Sequence, residues 1–187
     1  YLMKLKKFNF KIVNSTNDIA IKIINNTHHK SGVVIAEKQK KGRGQYGNKW
    51  ISYKGNLFIS IFFPINKLKL SLTELTKVNC SLVKKLLSTY YKGKISVKKP
   101  NDLLIDNKKI SGILQESISK SGEKFIIIGV GINLVKSPNI KNYQTTNLFK
   151  LIGIKINDSN ATLKLMKIYE KFIPLLPKFN IKNIESI

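Results

Sequence analysis

The sequence contains one cysteine, one tryptophan and two histidines among 187 residues, and each scarcity excludes a class of protein. A single cysteine, Cys80, cannot form an internal disulfide and is typical of a reducing compartment, so we expect a cytoplasmic protein with Cys80 as a core thiol. Two adjacent histidines in a polar segment cannot supply a histidine-rich metal site. No apolar run approaches the ~18 residues of a membrane span, so no membrane association is expected.

Arginine is nearly absent as well, because 33 of the 34 basic residues are lysine and only Arg43 is arginine. The 33 lysines, 28 isoleucines and 19 asparagines, all written by A/T-rich codons, make up more than two fifths of the chain. We therefore attribute most of the formal charge of +24 to codon composition, and no nucleic-acid partner is expected. A basic nucleic-acid-binding module remains an alternative, although the aromatic residues are not patterned among the bases as stacking requires.

Apolar periodicity and turn residues predict a single α+β domain with a mixed, largely antiparallel β-sheet and packed helices. The strands arrive in runs and do not alternate strictly with helices, which disfavours a doubly wound sheet. Capping-box spacing at Ser15 and Asp18, and again at Ser71 and Glu74, marks two helix starts. The predicted helices span 15–26, 71–91 and 158–172, and the predicted strands span 33–37, 56–63, 94–97, 102–105, 108–117 and 124–133.

The segment from Gly42 to Gly47 matches the letters of a dinucleotide-binding loop, GxGxxG, but its context does not. A strand pattern follows it where a Rossmann loop would open a helix. Two interpretations remain, a flexible surface loop or a loop whose backbone N–H groups and Arg43 bind an anion. The lone arginine favours the second, because lysine cannot copy a planar, bidentate guanidinium.

Further polar and glycine-containing segments each have an ordinary structural explanation as well as a functional one. Asn101 and Asp102 offer oxygen ligands of the kind that Mg²⁺ accepts beside phosphates. Lys109 lies on a strand beside Gly112, where a ligand could approach the backbone closely. Trp50 is either a core residue or a platform for a flat ring. The glycines of 129–133 could form a bulge, and 14–17 could be a plain helix cap.

Taken in order, these segments resemble the catalytic domain of biotin–protein ligases over roughly residues 10–135. The resemblance implies a class II synthetase-like biotin/lipoyl ligase fold. It also implies activation of biotin with ATP and Mg²⁺ to biotinyl-5′-AMP, and transfer of biotin to a lysine of a biotin carboxyl carrier domain. The matching residues are Ser15-Thr16-Asn17, Ala36-Glu37, Gln39, Gly42-Arg43-Gly44, Gly47, Trp50, Lys98, Pro100-Asn101-Asp102, Lys109, Gly112-Ile113-Leu114, Glu116, Gly129 and Gly131-Ile132-Asn133.

The resemblance also implies roles for individual residues. Lys109 and Arg43 are the expected catalytic residues, acting on the reacting carboxylate and phosphates. Trp50 is expected to stack on adenine, Asn133 to hydrogen-bond its edge, and loop 40–50 to close over the adenylate. The implied biotin-binding residues are Ser15, Thr16, Asn17, Gln39, Arg43, Gly44, Gln45, Lys109 and Gly112. The implied ATP-binding residues are Gly42, Trp50, Lys98, Asn101, Asp102 and Asn133, with Asn101 and Asp102 also expected near Mg²⁺.

The chain departs from the family pattern in several ways. Gln45 and Asn48 stand where the family commonly has arginines, and Lys99 stands where it usually has tryptophan. We expect residues 1–187 to be a catalytic domain without an N-terminal DNA-binding domain, and with the C-terminal SH3-like barrel absent or truncated. The alternatives are a lipoate–protein ligase or octanoyltransferase of the same fold, and a ligase that binds biotin without activating it. Monomer and homodimer remain open.

Overall fold

The computed structural model describes residues 3–66 and 68–187, and its centre is one open sheet of seven strands. Only β1 and β2 pair in parallel, and every other neighbouring pair is antiparallel. This confirms the predicted fold class. The strands, in the spatial order β1-β2-β3-β7-β6-β5-β4, are β1 (Lys6–Val13), β2 (Gly32–Gln39), β3 (Leu57–Pro64), β4 (Ser96–Lys98), β5 (Asp102–Ile105), β6 (Lys108–Lys120) and β7 (Glu123–Ile132).

Helices cover both faces of the sheet. The first packs on one face over a small apolar cluster that includes Ala20, Ile24 and Phe62. The second and fourth pack on the other face over the main core, where Leu82, Leu86 and Leu165 are almost fully buried. The helices are α1 (Thr16–Asn26), α2 (Leu72–Ser88), the short α3 (Leu148–Ile152) and α4 (Asp158–Phe172). No helix in the described ranges is both long and apolar enough to cross a membrane.

One of the two predicted capping boxes forms. At the start of α2, Glu74 donates its backbone N–H to Ser71 Oγ (3.2 Å) and accepts the Ser71 N–H through Oε2 (2.8 Å). The prediction for Ser15 and Asp18 is wrong, because no side chain caps α1. Asp18 instead accepts a charge-assisted hydrogen bond from Arg43 at 2.7 Å, and a guanidinium is a stronger partner for a carboxylate than a neutral N–H.

Two elements were not predicted from the sequence. Strand β1 lies at the sheet edge with most of its side chains exposed, and the alternation of Phe8, Phe10 and Ile12 with polar residues is a strand signal that was missed in the sequence. Helix α3 is only five residues long, too short to show helical periodicity. Asp106 and Asn107, the two residues left between the predicted strands 102–105 and 108–117, form a hairpin turn with positive φ of 49° and 60°.

Cys80 lies in the core on α2 with 1% of its surface exposed. Burial raises the pKa of its thiol to about 12, with a smaller contribution from the negative charge of Asp102. The thiol is therefore protonated at neutral pH and unreactive. This confirms the interpretation of Cys80 as a core residue.

Candidate functional site

Two glycines of β7 open a trough on the face of the sheet that α1 covers. Phe125 and Ile127 point to this face and pack beneath α1. With the two-residue period of a strand, Gly129 and Gly131 then follow on the same face and leave it without side chains. Gly129 lies against the side chain of Asn17, where a β-carbon would collide with it. The trough therefore exists because glycine occupies these positions.

Trp50 lies across the second half of this trough. Gly112 of β6 and Gly131 of β7 are paired in the sheet register, and the indole rests on both. A β-carbon placed on Gly112 would lie 2.8 Å from the ring, and one on Gly131 would lie 2.5 Å from it. The indole approaches the sheet this closely only because neither residue has a side chain.

The trough deepens into a cleft of about 220 Å³ where the start of α1, the glycine loop and the ends of β5 and β6 meet. Helix α1 and β2 supply a polar wall, the loop supplies a roof, and β5 and β6 supply the opposite wall. All nine residues that the sequence implied for biotin line this cleft, namely Ser15, Thr16, Asn17, Gln39, Arg43, Gly44, Gln45, Lys109 and Gly112.

A hydrogen-bond network fixes the polar wall. The backbone N–H and the hydroxyl of Thr16 both donate to Gln39 Oε1, at 2.9 and 3.1 Å. The Ser60 hydroxyl lies 2.7 Å from Thr16 Oγ1 and 2.5 Å from Asn17 Oδ1, and Asn17 Nδ2 donates to the carbonyl of Leu114. Since Thr16, Asn17 and Ser60 are at most 4% exposed, this wall is held before any ligand arrives.

Ser60 was missed in the sequence, although a signal for it was present. It is a lone hydroxyl residue within the apolar strand β3, fully buried and paired with Gly129 in the register. A buried polar residue in such a strand needs partners, which Thr16 and Asn17 provide. A polar residue at an inward strand position could therefore have been selected as a site candidate.

Lys109 is the partly buried cation of the opposite wall. Its Nζ lies 2.8 Å from Asp102 Oδ1, and the two side chains are 17% and 24% exposed. The ammonium also lies between two aromatic rings, 5.5 Å from the centroid of Trp50 and 5.3 Å from that of Tyr143. Because an ammonium has three N–H donors, Lys109 can hold Asp102 and still donate into the cleft. No sequence motif marked Tyr143.

A second, smaller cavity of about 20 Å³ adjoins the cleft behind Trp50 and is lined by Asn133 and Tyr143. Trp50 Nε1 and Asn133 Oδ1 are buried without a hydrogen-bond partner among residues 3–66 and 68–187, as is Gln45 Oε1 in the loop. Unpaired buried polar atoms cost roughly 1–3 kcal/mol each and are uncommon in folded proteins. Three of the four such atoms in the described part of the chain lie at this site, the fourth being the Tyr90 hydroxyl, and this favours a ligand that completes their hydrogen bonds.

The remaining residues implied for ATP are spread around the cleft. Asn101 and Asp102 line it, Gly42 lies behind it against the carbonyl of Trp50, and Lys98 is exposed on β4 outside the lining. Asp102 already pairs with Lys109, and Asn101 Nδ2 donates to the carbonyl of Ile113. Within the described residues no three acidic, histidine or cysteine side chains could together hold a metal. Mg²⁺ usually keeps several waters and takes one or two protein oxygens beside phosphates, so the expected role of Asn101 and Asp102 near Mg²⁺ stays a prediction.

Arg43 sits at the rim of the cleft and binds two carboxylates. Its Nη1 and Nη2 each donate to one oxygen of Glu116 at 2.9 Å, and Nη2 also donates to Asp18 at 2.7 Å. These bonds, first of all the one to Glu116, raise the pKa of Arg43. The guanidinium thus already has anionic partners, and its expected action on substrate anions stays a prediction.

The glycine loop closes on itself as a small hairpin. Gly44 donates its N–H to the carbonyl of Asn48 (2.7 Å), and Trp50 donates to that of Gly42 (2.9 Å). Tyr46 lies at the tip with φ of 55° and 90% exposure. The loop is therefore an ordered roof whose position depends on how its base and Arg43 are anchored.

The sequence and the fold are both similar to those of known ligases. The model of the biotin/lipoate A/B protein ligase family matches residues 9–133. The chain is 33% identical over 162 residues to the bifunctional ligase/repressor BirA of Escherichia coli K12, covering 85% of this chain and 50% of that protein. It is 30% identical over 128 residues to the biotin–[acetyl-CoA-carboxylase] ligase of Paracoccus denitrificans, covering 67% of this chain and 53% of that protein. The chain therefore spans about half the length of these relatives.

Among solved structures, a biotin protein ligase from Aquifex aeolicus in complex with biotin and ATP superposes with a TM-score of 0.82. It is 26% identical in sequence, and the match covers 97% of this chain and 75% of that one.

Proposed function

Because the chain belongs to the biotin/lipoate A/B protein ligase family, we propose that it joins biotin to ATP and passes the biotinyl group to a lysine of a carrier protein. The observation that carries this proposal is the cleft, in which a fixed hydroxyl and amide wall faces a partly buried cation, Lys109. The named relatives are ligases that act on biotin, and one solved relative holds biotin and ATP together.

The polar wall suits the ureido ring of biotin, which carries one carbonyl acceptor and two N–H donors. Thr16, Gln39 and Ser15 present hydroxyl and amide groups at one end of the cleft. The bond from Thr16 to Gln39 orients both side chains before binding. A wall held in this way loses little conformational entropy when biotin binds, which favours affinity.

In the first chemical step, an oxygen of the biotin carboxylate attacks the α-phosphorus of ATP. The new bond gives biotinyl-5′-AMP, and the bond to the bridging oxygen of the β-phosphate breaks to release pyrophosphate. Two anions must approach each other, and Lys109 offsets their repulsion with the N–H donors that Asp102 leaves free. Its low exposure strengthens this effect, because less water screens the charge.

Trp50 and Asn133 serve the nucleotide. The cleft of about 220 Å³ lies below the ~300–1,000 Å³ usual for ligand pockets, so biotin and ATP do not fit together while the indole lies on Gly112 and Gly131. We propose that Trp50 lifts from the glycines and stacks on adenine, and that Asn133 Oδ1 accepts a hydrogen bond from its amino group. The loop then covers the mixed anhydride and excludes water.

In the second step, the amine of a carrier lysine attacks the acyl carbon of biotinyl-5′-AMP. An amide bond forms, AMP leaves, and one proton is released. The chemistry of the acceptor and the names of the relatives support a biotin carboxyl carrier domain as the partner. The lone, buried Cys80 supports a reducing, cytoplasmic location.

Biotin-dependent exchange of pyrophosphate into ATP tests the proposal directly. We expect exchange with biotin and at least about tenfold less with lipoate or octanoate. Neither of these acids has a ureido ring, so the hydrogen-bonding groups of the polar wall would be left without a partner. Exchange with lipoate but not with biotin would assign the chain to the other branch of the family. Tight biotin binding in calorimetry without exchange would instead identify a ligase that has lost activation.

A further inference from the structure

Acidic side chains are scarce in this chain, yet two of its ten acidic residues meet at the single arginine. Asp18 comes from the first turn of α1, and Glu116 comes from β6. Arg43 comes from the glycine loop, 25 residues from Asp18 and 73 from Glu116 in sequence. One guanidinium therefore joins three separate elements at the rim of the cleft.

We propose that Glu116 and Asp18 are positioning residues that latch the glycine loop over the cleft through Arg43. Both oxygens of Glu116 are used, one by each terminal nitrogen, and the second nitrogen also reaches Asp18. A planar fork can make this arrangement, whereas the ammonium of lysine presents a single point of charge. This geometry gives a reason for arginine here in a chain that otherwise uses lysine.

The latch is also connected to the polar wall. Glu116 Oε2 accepts a second hydrogen bond, from Asn17 Nδ2 at 2.7 Å. The other end of that amide contacts the Ser60 hydroxyl, which in turn contacts Thr16. A continuous chain of hydrogen bonds therefore runs from the loop arginine to the residues that face the ureido ring, so release of the loop loosens that wall as well.

The exposure of these groups makes the latch reversible. The side chains of Arg43 and Asp18 are 40% and 42% exposed, and that of Glu116 is 27% exposed. Ion pairs with this much access to water contribute modestly to stability, so the loop can open to admit a nucleotide and close again. Since both carboxylates neutralise Arg43, net positive charge for the phosphates has to come from Lys109 and neighbouring lysines.

Limited digestion with a lysine-specific protease tests the latch without any ligand. Lys40, Lys41 and Lys49 are exposed in or beside the loop, and cleavage reports the open population when opening is fast. We expect loop cleavage to be roughly fivefold faster in Arg43→Gln and in Glu116→Gln, and about twofold faster in Asp18→Asn. The matched control Glu123→Gln removes a carboxylate whose ion pair among the described residues is with Lys30 at the surface, and should leave cleavage unchanged.

The double variant Arg43→Gln/Glu116→Gln separates a latch from a general loss of stability. If the two residues act through each other, the double variant is cleaved no faster than either single variant. The proposal is overturned if the effects of the two substitutions on the cleavage rate add in the double variant. It is also overturned if Glu116→Gln is cleaved at the rate of the parent. Asp18→Asn, on an exposed helix position, provides the same test if Glu116→Gln does not fold.

The catalytic consequence of the latch rests on the proposed function. Opening the loop should speed dissociation of biotinyl-5′-AMP about fivefold in Glu116→Gln, with a smaller change in the exchange rate at saturating biotin and ATP. A merely structural role of Glu116 would lower both the exchange rate and the melting temperature, and that result contradicts the proposal. If the parent chain shows no biotin-dependent exchange, the proposed function fails, and the protease experiment still decides whether the latch exists.

Discussion

At the scale of single residues, the surroundings of Lys109 distinguish it from the other lysines that the structure describes. It pairs with Asp102 at 2.8 Å, lies between two aromatic rings and keeps only 17% of its side chain exposed. A cation held this way is oriented before a substrate arrives and is little screened by water. The neighbouring Lys108 lies on the same strand, but its side chain points to the opposite face.

Lys109→Ala should lower the rate of adenylate formation at least about a hundredfold, because the charge that offsets carboxylate–phosphate repulsion is lost. The measurement is pyrophosphate exchange at saturating biotin and ATP. Lys108→Ala removes the same charge from the adjacent position and should stay within about twofold of the parent. If both variants lose exchange activity equally, the reaction needs positive charge on this strand but does not need an oriented ammonium at position 109.

At the scale of elements, the two glycines of β7 divide the site into two parts. Gly129 faces Asn17 and the ureido wall, and Gly131 faces the indole of Trp50. The two positions are two residues apart on one strand face, so each β-carbon would enter a different half of the trough. Under the proposed function, the strand would separate a biotin half from a nucleotide half.

This division can be tested with one methyl group at each position. Gly129→Ala should raise the KM for biotin about tenfold by displacing Asn17. Gly131→Ala should raise the KM for ATP about tenfold, because its methyl group fills part of the trough that the nucleotide needs once Trp50 has lifted. Steady-state exchange with each substrate varied in turn gives both constants, and each variant is the control for the other. If both variants change both constants equally, the two halves are not distinct.

A second feature at this scale is the capping box of α2, which makes the free energy of unfolding depend on pH. Hydrogen bonds from the backbone and side chain of Ser71 lower the pKa of Glu74 below its ordinary value of 4.5. A carboxyl whose pKa is lowered by folding stabilises the fold above its unfolded pKa, and this contribution is lost as the pH falls through the folded pKa.

Ser71→Ala should therefore lower the free energy of unfolding by about 1 kcal/mol at pH 7, since it removes the cap of α2. Glu74→Gln should also be less stable than the parent at pH 7, and that difference should be smaller at pH 3, below the ordinary pKa of 4.5. Urea denaturation at both pH values measures this. Glu185→Gln, an exposed position near the last residue, carries the same charge change and should show no such trend.

At the scale of the whole molecule, the formal charge of +24 makes the surface strongly basic, while the cleft holds its cations against carboxylates. Charge spread over the surface attracts any polyanion through counterion release, and this attraction weakens steeply with salt. Binding inside the cleft depends on hydrogen bonds and shape, which salt affects much less. Salt therefore separates the two kinds of binding.

We expect affinity for duplex DNA to fall at least about a hundredfold between 50 and 200 mM salt, while biotin affinity changes less than about twofold. Fluorescence anisotropy with labelled DNA and calorimetry with biotin give the two quantities. Sequence-selective DNA binding that persists at 200 mM salt would instead support the nucleic-acid-binding alternative.

The sequence by itself determined the order and type of most elements, and its resemblance to a family named nine of the residues that line the cleft. Helices α1, α2 and α4 and strands β2, β3, β5, β6 and β7 follow from periodicity, caps and turn residues that act over a few positions. The residues implied for biotin form one lining because their motifs lie where these elements end. Such signals are local, and local interactions survive almost any arrangement of the rest of the chain.

Only the tertiary structure decided which partners these residues take. Asp18 has the spacing of a helix cap, but it binds Arg43 from 25 residues away. Glu116 is joined to Arg43 across 73 residues, and Ser60 to Thr16 across 44. These choices depend on the strand register and on the glycines that let Asn17 and Trp50 approach the sheet. They arise from packing between distant segments, which periodicity along the chain does not encode.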